Sequence, residues 1–205
     1  VTRTLEAGLR GTAAGGMQWN AGVFRAANAD DILFVADNQA GYGYFKNFGK
    51  TRRQGLELGL SGKLGKWDLG AQYTWLDATY QSFDTVNGSA NSSNDTASAG
   101  TPGQDGTINI RPGDRIPLVP RQMLKLFADY EASSALTLSA SMVAVSGALA
   151  RGNENGAHQS DGRYYLGPGR SAGYAVFNLG ASYRATPRLQ LSGSIDNLFN
   201  TTYNT

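Results

Sequence analysis

The feature that most constrains this sequence is a hydrophobic period of two. Apolar residues alternate with polar or small residues in eight separate stretches, which is the pattern of a β-strand with one apolar and one polar face. The sequence therefore predicts an all-β protein with eight strands and no helix. The predicted strands centre on residues 4–10, 18–23, 56–61, 67–75, 124–130, 136–142, 175–183 and 189–195.

The connections between these strands alternate in length. Short turns are predicted at residues 11–16, 65–66, 132–134 and 185–187, and long loops at residues 30–43, 82–120 and 151–172. A meander with short turns at one end and long loops at the other is typical of outer-membrane β-barrels. A soluble sandwich has no reason to segregate its loops in this way. The alternation predicts an antiparallel up-and-down transmembrane β-barrel.

Strand length and aromatic placement favour the same architecture. Residues 67–81 and 135–150 can each form a strand longer than ten residues, and about ten tilted residues cross a bilayer. Aromatic side chains also cluster near the predicted strand ends, as in the girdles of membrane barrels. They are Trp67, Tyr130 and Tyr183 near short turns, and Phe45, Trp75, Tyr80 and Tyr174 near long loops.

Composition excludes several classes of protein. The chain has no cysteine, so it holds neither a disulfide scaffold nor a thiolate metal site. Its net charge of +2 is spread along 205 residues, which gives no support to nucleic-acid binding. No window approaches the apolar length of a membrane helix, so any membrane span must be a strand. Because Val1 opens directly on the alternating pattern, we expect the chain to be an excerpt or a mature piece.

One long connection, residues 82–113, has few large apolar side chains and is rich in Asn, Ser and Gly. Such a stretch buries too little surface to offset the entropy of ordering it. We expect it to be a flexible extracellular loop. It is not a linker between domains, because the same strand pattern resumes after it.

The loop at residues 151–172 contains the candidate ligand-binding residues, and their chemistry is that of anion and aromatic recognition. Arginine offers planar, bidentate donors to carboxylate or phosphate, and tyrosine offers a flat contact surface. The alternative is a loop that is held together by its own aromatic residues. The candidates are Arg151, His158, Arg163, Tyr164, Tyr165 and Arg170.

Metal binding and catalysis have little support in the sequence. His158 is the only histidine, and no second His or Cys is available to complete a transition-metal site. No G-x-S-x-G elbow, P-loop or paired-histidine helix is present. We therefore predict no cofactor, no metal site and no enzymatic activity. The basic run at residues 50–53 could bind lipopolysaccharide phosphate or a ligand anion, or it could be a solvated or lumen-facing edge.

Five segments together resemble TonB-dependent outer-membrane receptors. Residues 45–59, FKNFGKTRRQGLELG, are similar to the family's N-x-G-x-x-R-x-x-G-x-E strand. Later parts of the same barrel are resembled, in the same order, by the strand containing YTWLDATY, the strand entry RIPLVPRQMLKLFADY, residues 173–183 and the segment IDNLFNTTY. The resemblance covers nearly the whole chain apart from its loops.

This resemblance implies a 22-stranded barrel around a plug domain. It assigns residues 1–205 to part of the barrel, with eight strands present and the plug and last strand absent. The polar strand faces would line the lumen or contact the plug, at positions that include Glu6, Arg10, Gln72, Lys125 and Asp129.

The implied function is that of an outer-membrane receptor. It would bind a scarce nutrient such as a ferric siderophore outside the cell and import it to the periplasm with energy from TonB. The expected partners are the TonB complex through the plug, outer-membrane lipid and lipopolysaccharide, and the small-molecule nutrient. Two alternatives are a small passive eight-stranded barrel acting as a pore, adhesin or anchor, and a secreted β-sandwich that acts as a binding module.

Overall fold

The computed structural model of the chain describes residues 1–37, 42–88, 107–157 and 169–203. Within these ranges the structure is almost entirely β. The strands are β1 (Thr2–Thr12), β2 (Gln18–Ala36), β3 (Gly43–Leu64), β4 (Trp67–Tyr80), β5 (Asp84–Asn87), β6 (Thr107–Ile110), β7 (Gln122–Glu131), β8 (Leu136–Val145), β9 (Ala148–Leu149), β10 (Arg170–Ser171), β11 (Tyr174–Thr186) and β12 (Leu189–Ile195).

Eight of these strands form one antiparallel sheet in the order β1-β2-β3-β4-β7-β8-β11-β12. Each strand pairs with the strand of the same sheet that follows it along the chain. The prediction of an all-β, up-and-down architecture is therefore confirmed. The four remaining strands form two small sheets, β5 with β6 and β9 with β10. Both small sheets lie in long connections. In the described part of the chain the large sheet ends in two open edges, β1 and β12, and does not close into a small barrel.

The prediction of a long loop at residues 30–43 is wrong. Strands β2 and β3 are 19 and 22 residues long, and their pairing runs from Gln18 opposite Ser61 to Ala36 opposite Gly43. Asp30 lies within β2 with a φ of 58°. This left-handed residue interrupts the alternation of side chains without ending the hydrogen-bonded ladder, so the pattern in the sequence stops before the strand does.

The prediction of one uninterrupted strand over residues 135–150 is also wrong. Strand β8 ends at Val145, and the short strand β9 begins at Ala148. Between them the Ser146 hydroxyl accepts hydrogen bonds from the backbone N–H groups of Arg121 and Gln122, both at 3.0 Å. The Ser146 N–H still donates to the Gln122 carbonyl at 2.9 Å, so the side chain adds to the last backbone hydrogen bond at the point where the regular strand ends.

The single helical element of the described residues is a 3-10 turn, Ala14–Gly16, between β1 and β2. No helix in these ranges is long and apolar enough to cross a membrane.

The register of the large sheet separates its side chains into an apolar and a polar face. Residues directly opposite each other in antiparallel strands project to the same side. Across five neighbouring strands one such row on the apolar face reads Leu60, Ala71, Leu126, Met142 and Phe177. Leu60 is 44% exposed and Leu126 is 38% exposed, because none of the described residues forms a second layer over this face. An uncovered apolar face contradicts the β-sandwich alternative.

The opposite face carries the polar residues of the alternation. Arg10 pairs with Asn20, Gln72 pairs with Lys125, and Asp129 pairs with Asp68. The five residues predicted to line a lumen all project to this side. The register therefore confirms the division into two faces, and contact with a lumen or plug remains a prediction.

Aromatic pairs lie on the sheet near both ends of its strands. Trp67 and Tyr130 are opposite each other near the short turns, with ring centroids 4.6 Å apart. Tyr174 and Tyr203 stack at the long-loop end, also at 4.6 Å. Trp67 and Tyr130 lie on the apolar face, as a girdle at the membrane–water interface requires. Tyr174 lies on the polar face, in the row of Val145, Met123 and Thr74, so this pair does not form a lipid-facing girdle.

Large residues on the polar face lie over glycines of the neighbouring strand. The Phe127 ring occupies the space that a Cβ on Gly70 would need, and the Phe24 ring lies in the same way over Gly55. An aromatic ring that covers a glycine shields the exposed backbone and pins the register of the two strands.

We expect Gly70→Ala to lower the free energy of unfolding by about 1–3 kcal/mol, because the added methyl group collides with the Phe127 ring. Gly193→Ala is the matched control, since no atom lies within 4 Å of its Cβ position. Urea unfolding of the intact protein in phospholipid vesicles measures both. The double variant G70A/F127L should recover part of the loss, and equal effects of G70A and G193A would contradict this packing.

The apolar face also predicts where charge is tolerated. Leu126→Arg places a cation near the middle of β7 on the apolar face and should cost about 2–4 kcal/mol of unfolding free energy in a bilayer. Thr74→Arg puts the same charge on the polar face, opposite Glu57, and should be nearly neutral. The same urea titration in vesicles compares the two variants. If T74R were the more damaging, the two faces would have been assigned the wrong way round.

Candidate ligand-facing site at the long-loop end

A partly buried polar network lies near the long-loop end of β2 and β3. Asp31 Oδ2 accepts a hydrogen bond from the Thr51 hydroxyl at 2.6 Å and another from Arg53 Nη1 at 2.9 Å. Thr51 is opposite Tyr80 and Arg53 is opposite Ala78, both on the polar face. The left-handed Asp30 turns Asp31 towards this side, where its carboxylate joins the network. The network fixes the strands from which the loops arise.

An apolar cluster packs beside this network and holds the β5–β6 hairpin. Phe48 and Tyr80 contribute rings whose centroids are 5.2 Å apart. Val86 of β5 and Ile108 and Ile110 of β6 pack with them, and both isoleucines are fully buried. The hairpin therefore lies against the polar side of the sheet as a small hydrophobic core.

This packing refines the prediction of a flexible loop at residues 82–113. Both ends of that segment are paired strands, from Asp84 opposite Ile110 to Asn87 opposite Thr107. Residues 89–106 lie outside the described residues, so flexibility of the segment remains a prediction.

Lys46 ties the same hairpin to β3. Its ammonium group donates to Asp84 Oδ1 and to the Thr85 carbonyl, both at 2.5 Å. The ammonium also lies 5.4 Å from the centre of the Phe48 ring. One cation thus joins the strand, the hairpin and the apolar cluster.

The turn after β9 forms a second anchored element. Asn153 is buried, and its side-chain amide donates to the Gly169 carbonyl at 2.9 Å. Glu154 is 4% exposed, and its Oε1 accepts a hydrogen bond from the Gly152 N–H at 3.1 Å. Glu154 Oε2 is buried and has no hydrogen-bond partner among the described residues. Burial raises the pKa of the Glu154 carboxyl, and backbone hydrogen bonds, including that from the Gly152 N–H, together with the nearby Arg151 charge only partly oppose this.

Two of the six candidate ligand residues, Arg151 and Arg170, lie among the described residues. Arg151 stacks on the Phe34 ring, with its guanidinium carbon 4.4 Å from the ring centre. Arg170 is exposed in β10, and its charge is close enough to contribute to the lowered pKa of Arg115. The other four candidates, His158, Arg163, Tyr164 and Tyr165, lie outside the described residues, so their contact with a ligand remains a prediction.

Sequence reasoning missed the groups that hold this region together. The Asp31 network is hidden because Asp30 breaks the alternation just before it. The alternation of Thr-Ile-Asn-Ile at residues 107–110 could have predicted strand β6, although this segment was predicted to be loop. No group of three or more His, Cys, Asp or Glu in the described ranges is arranged to hold a metal ion. The described residues of the site anchor the bases of the long loops on the polar face.

A single antiparallel meander with one apolar face, one polar face and loops segregated by length is the wall of a transmembrane β-barrel. Within that class, residues 1–198 match the family model described as TonB dependent receptor-like, beta-barrel. The chain therefore belongs to the TonB-dependent receptor family. Members of this family are transport receptors rather than enzymes, and they are outer-membrane β-barrel proteins of Gram-negative bacteria.

Individual relatives agree with this assignment. Over 100 residues the chain is 32% identical to the probable TonB-dependent siderophore receptor PiuA of Acinetobacter baumannii, covering 48% of this chain and 12% of PiuA. The crystal structure of A. baumannii PiuA superposes with a TM-score of 0.70 at 21% identity, over 98% of this chain and 25% of that one. The ferric-catecholate import receptor Fiu of E. coli K12, in its closed form, gives 0.63 at 20% identity, over 98% of this chain and 24% of that one.

The matched relatives are much longer than this chain. The chain spans 12% of the curated relative and about a quarter of each solved receptor. The structural likeness shows the fold of the barrel wall.

The buried Glu154 predicts a pH dependence. A carboxyl whose pKa is raised by folding stabilises the fold fully below its unfolded pKa, and this contribution is lost as the pH rises through the folded pKa. The turn should therefore open more readily at neutral than at acidic pH, and Glu154→Gln should remove that difference. Hydrogen exchange of residues 150–157 against pH measures the effect. Glu131→Gln, at an exposed carboxylate, is the control, and an unchanged pH profile in E154Q would contradict the prediction.

Proposed function

We propose that this chain is part of the wall of an outer-membrane receptor that binds a ferric siderophore outside the cell and imports it to the periplasm with energy from TonB. Family membership supports the transport role. Two similar proteins support the substrate class, because one is named a siderophore receptor and the other a ferric-catecholate import receptor.

The structural observation that carries this proposal is the anchoring of the long loops above the polar face. The connection at residues 89–106 begins and ends next to the buried β5–β6 hairpin. The connection at residues 158–168 lies between the turn of Asn153 and Gly169, which are hydrogen-bonded to each other. Loops with fixed bases can present side chains to a ligand at the mouth of a barrel, while the hydrogen-bonded wall remains rigid.

The chemistry of the second connection fits an anionic, aromatic ligand. A ferric catecholate combines negative charge with flat rings, which suit arginine guanidinium groups and tyrosine rings. We propose that His158, Arg163, Tyr164 and Tyr165 contact it, together with Arg151 and Arg170 at the two ends of the loop. Arg151 already stacks on Phe34, so its role would require it to keep or exchange that partner.

The test uses the full-length receptor that contains this chain, in a Gram-negative host deleted for its own catecholate receptors. We expect saturable uptake of a radioiron-labelled ferric catecholate that disappears when TonB is deleted. The variant R163Q/Y164A should weaken binding by about tenfold or more, since such residues are common binding hot spots.

The control for this experiment is Arg188→Gln in the short turn between β11 and β12, which should bind and transport normally. Uptake that persists without TonB would contradict the proposal and favour a passive barrel. TonB-dependent uptake of a different nutrient would retain the transport role and refute the siderophore assignment.

A further inference from the structure

The polar face of the sheet carries an apolar area near the long-loop end of β7, β8 and β11. On this face Tyr174 is opposite Val145, and Val145 is opposite Met123. In the next row towards the short turns, Val176 is opposite Val143. The division of the sheet into two faces does not account for this area. Together with one residue that follows β12, it forms what we call the tyrosine patch: Met123, Val143, Val145, Tyr174, Val176 and Tyr203.

After β12 the chain makes a turn that is fastened to the polar face of β11. Asn197 and Asn200 have φ values of 51° and 50°, a left-handed conformation that asparagine adopts more readily than most residues. The Asn197 N–H donates to Asn178 Oδ1 at 2.9 Å, and the Asn178 amide donates to Ser141 Oγ at 3.1 Å. Side chains of the polar face therefore fix the position of this turn.

The turn brings Tyr203 back onto β11, over Tyr174. The Thr201 hydroxyl donates to the Ala175 carbonyl at 3.1 Å. The Tyr203 ring then stacks on the Tyr174 ring, with centroids 4.6 Å apart and an angle of 22° between the ring planes. Tyr203 is 42% exposed, so the stack presents aromatic surface that the described residues leave uncovered. Lipid does not explain this surface, because Tyr174 is on the polar face.

A lysine lies beside the tyrosine patch on the same face. Lys125 is opposite Val143 on one side and Gln72 on the other, and it is exposed. It forms no ion pair with the residues that the structure describes. Because neighbouring strands are about 4.8 Å apart, Lys125 is about 10 Å from β11 across the sheet. The surface thus combines exposed aromatic rings, apolar side chains and an unpaired positive charge.

This combination indicates the chemistry of the molecule that covers the surface. An anion without rings, such as citrate, would pair with Lys125 but would leave the tyrosine rings uncovered. An anion that carries flat rings satisfies both, because aromatic rings stack on each other and the negative charge pairs with the ammonium group. Its dimensions must reach from β11 to Lys125, which a metal complex of several catechol rings can do.

We propose that the tyrosine patch and Lys125 form a ligand site on the barrel wall, which holds one ring of a ferric catecholate against Tyr203 and its negative charge at Lys125. The inference rests on the proposed function and adds residues of the wall to the candidates in the loop at residues 151–172. Arg170, the last of those candidates, precedes Tyr174 by four residues. The wall site therefore adjoins the loop from which the ligand arrives.

The test measures equilibrium binding of a radioiron-labelled ferric catecholate to the full-length receptor in detergent. Tyr203→Leu removes the exposed ring, and Lys125→Gln removes the charge. Each variant should weaken binding about fivefold, which corresponds to about 1 kcal/mol for an aromatic contact or an exposed charge pair. Ferric citrate, which is anionic and has no rings, should not compete with the catecholate.

Two matched controls accompany these variants. Tyr183→Leu removes an exposed tyrosine of the same strand, β11, from the apolar face. Lys66→Gln removes a lysine from the short turn between β3 and β4. Both should bind the catecholate as the wild type does. Tyr203→Phe keeps the ring and should also bind normally, which keeps the ring contact testable if Tyr203→Leu does not fold.

The wall site is refuted if Y203L binds as Y183L does, if K125Q binds as K66Q does, or if ferric citrate competes as well as the catecholate. A loss of thermal stability in Y203L with unchanged binding would also refute it, because the patch would then pack against another part of the receptor.

Uptake with and without TonB is measured separately on the wild-type receptor. TonB-dependent uptake with unchanged binding in Y203L and K125Q would refute the wall site and leave the transport proposal standing. If the wild type took up no ferric catecholate, the transport proposal would fail, and an iron-free disulfonated catechol would then probe the wall site alone. Weaker binding of this probe to Y203L and K125Q than to their controls would support the site, and equal binding would refute it.

Discussion

The rest of this structure depends on the hydrogen bonds between neighbouring strands. In a bilayer no water is present to satisfy backbone N–H and C=O groups, so a spanning sheet must pair every strand with its neighbours. The eight-stranded meander meets this requirement between its two edges, and β2 and β3 continue pairing well past their regular alternation. The length of β2 and β3 is set by their backbone hydrogen bonds and not by the alternation of their side chains.

The two faces of this hydrogen-bonded sheet have different structural roles. No layer of the described residues covers the apolar face, and lipid takes that place in the proposed setting. The polar face supports the buried elements at the long-loop end, where Lys46, Phe48 and Ile108 join β3 to the β5–β6 hairpin. A rigid wall with anchored loop bases is suited to a receptor in which the loops select and the wall encloses.

The fold could be predicted to a large extent, because a period of two is a direct consequence of strand geometry. All eight strands of the large sheet and the division into two faces follow from it. The bounds of β2 and β3 could not be predicted, since Asp30 changes the side-chain direction while the ladder continues. For the candidate site, the sequence predicted only which residue types the loop contains. Its anchors, such as Asp31 with Arg53, join residues whose proximity depends on register.

The sequence by itself determined the class of this protein: an antiparallel meander with short turns at one end, long loops at the other and one face for lipid. It could do so because each of these properties is local and repeats along the chain. Only the tertiary structure decided which residues of distant strands meet. The cluster of Arg52, Arg115 and Arg121 around Asp77 is the clearest case. Its members are brought together by strand pairing and by the bridge from Thr79 to Arg115, which no local pattern encodes.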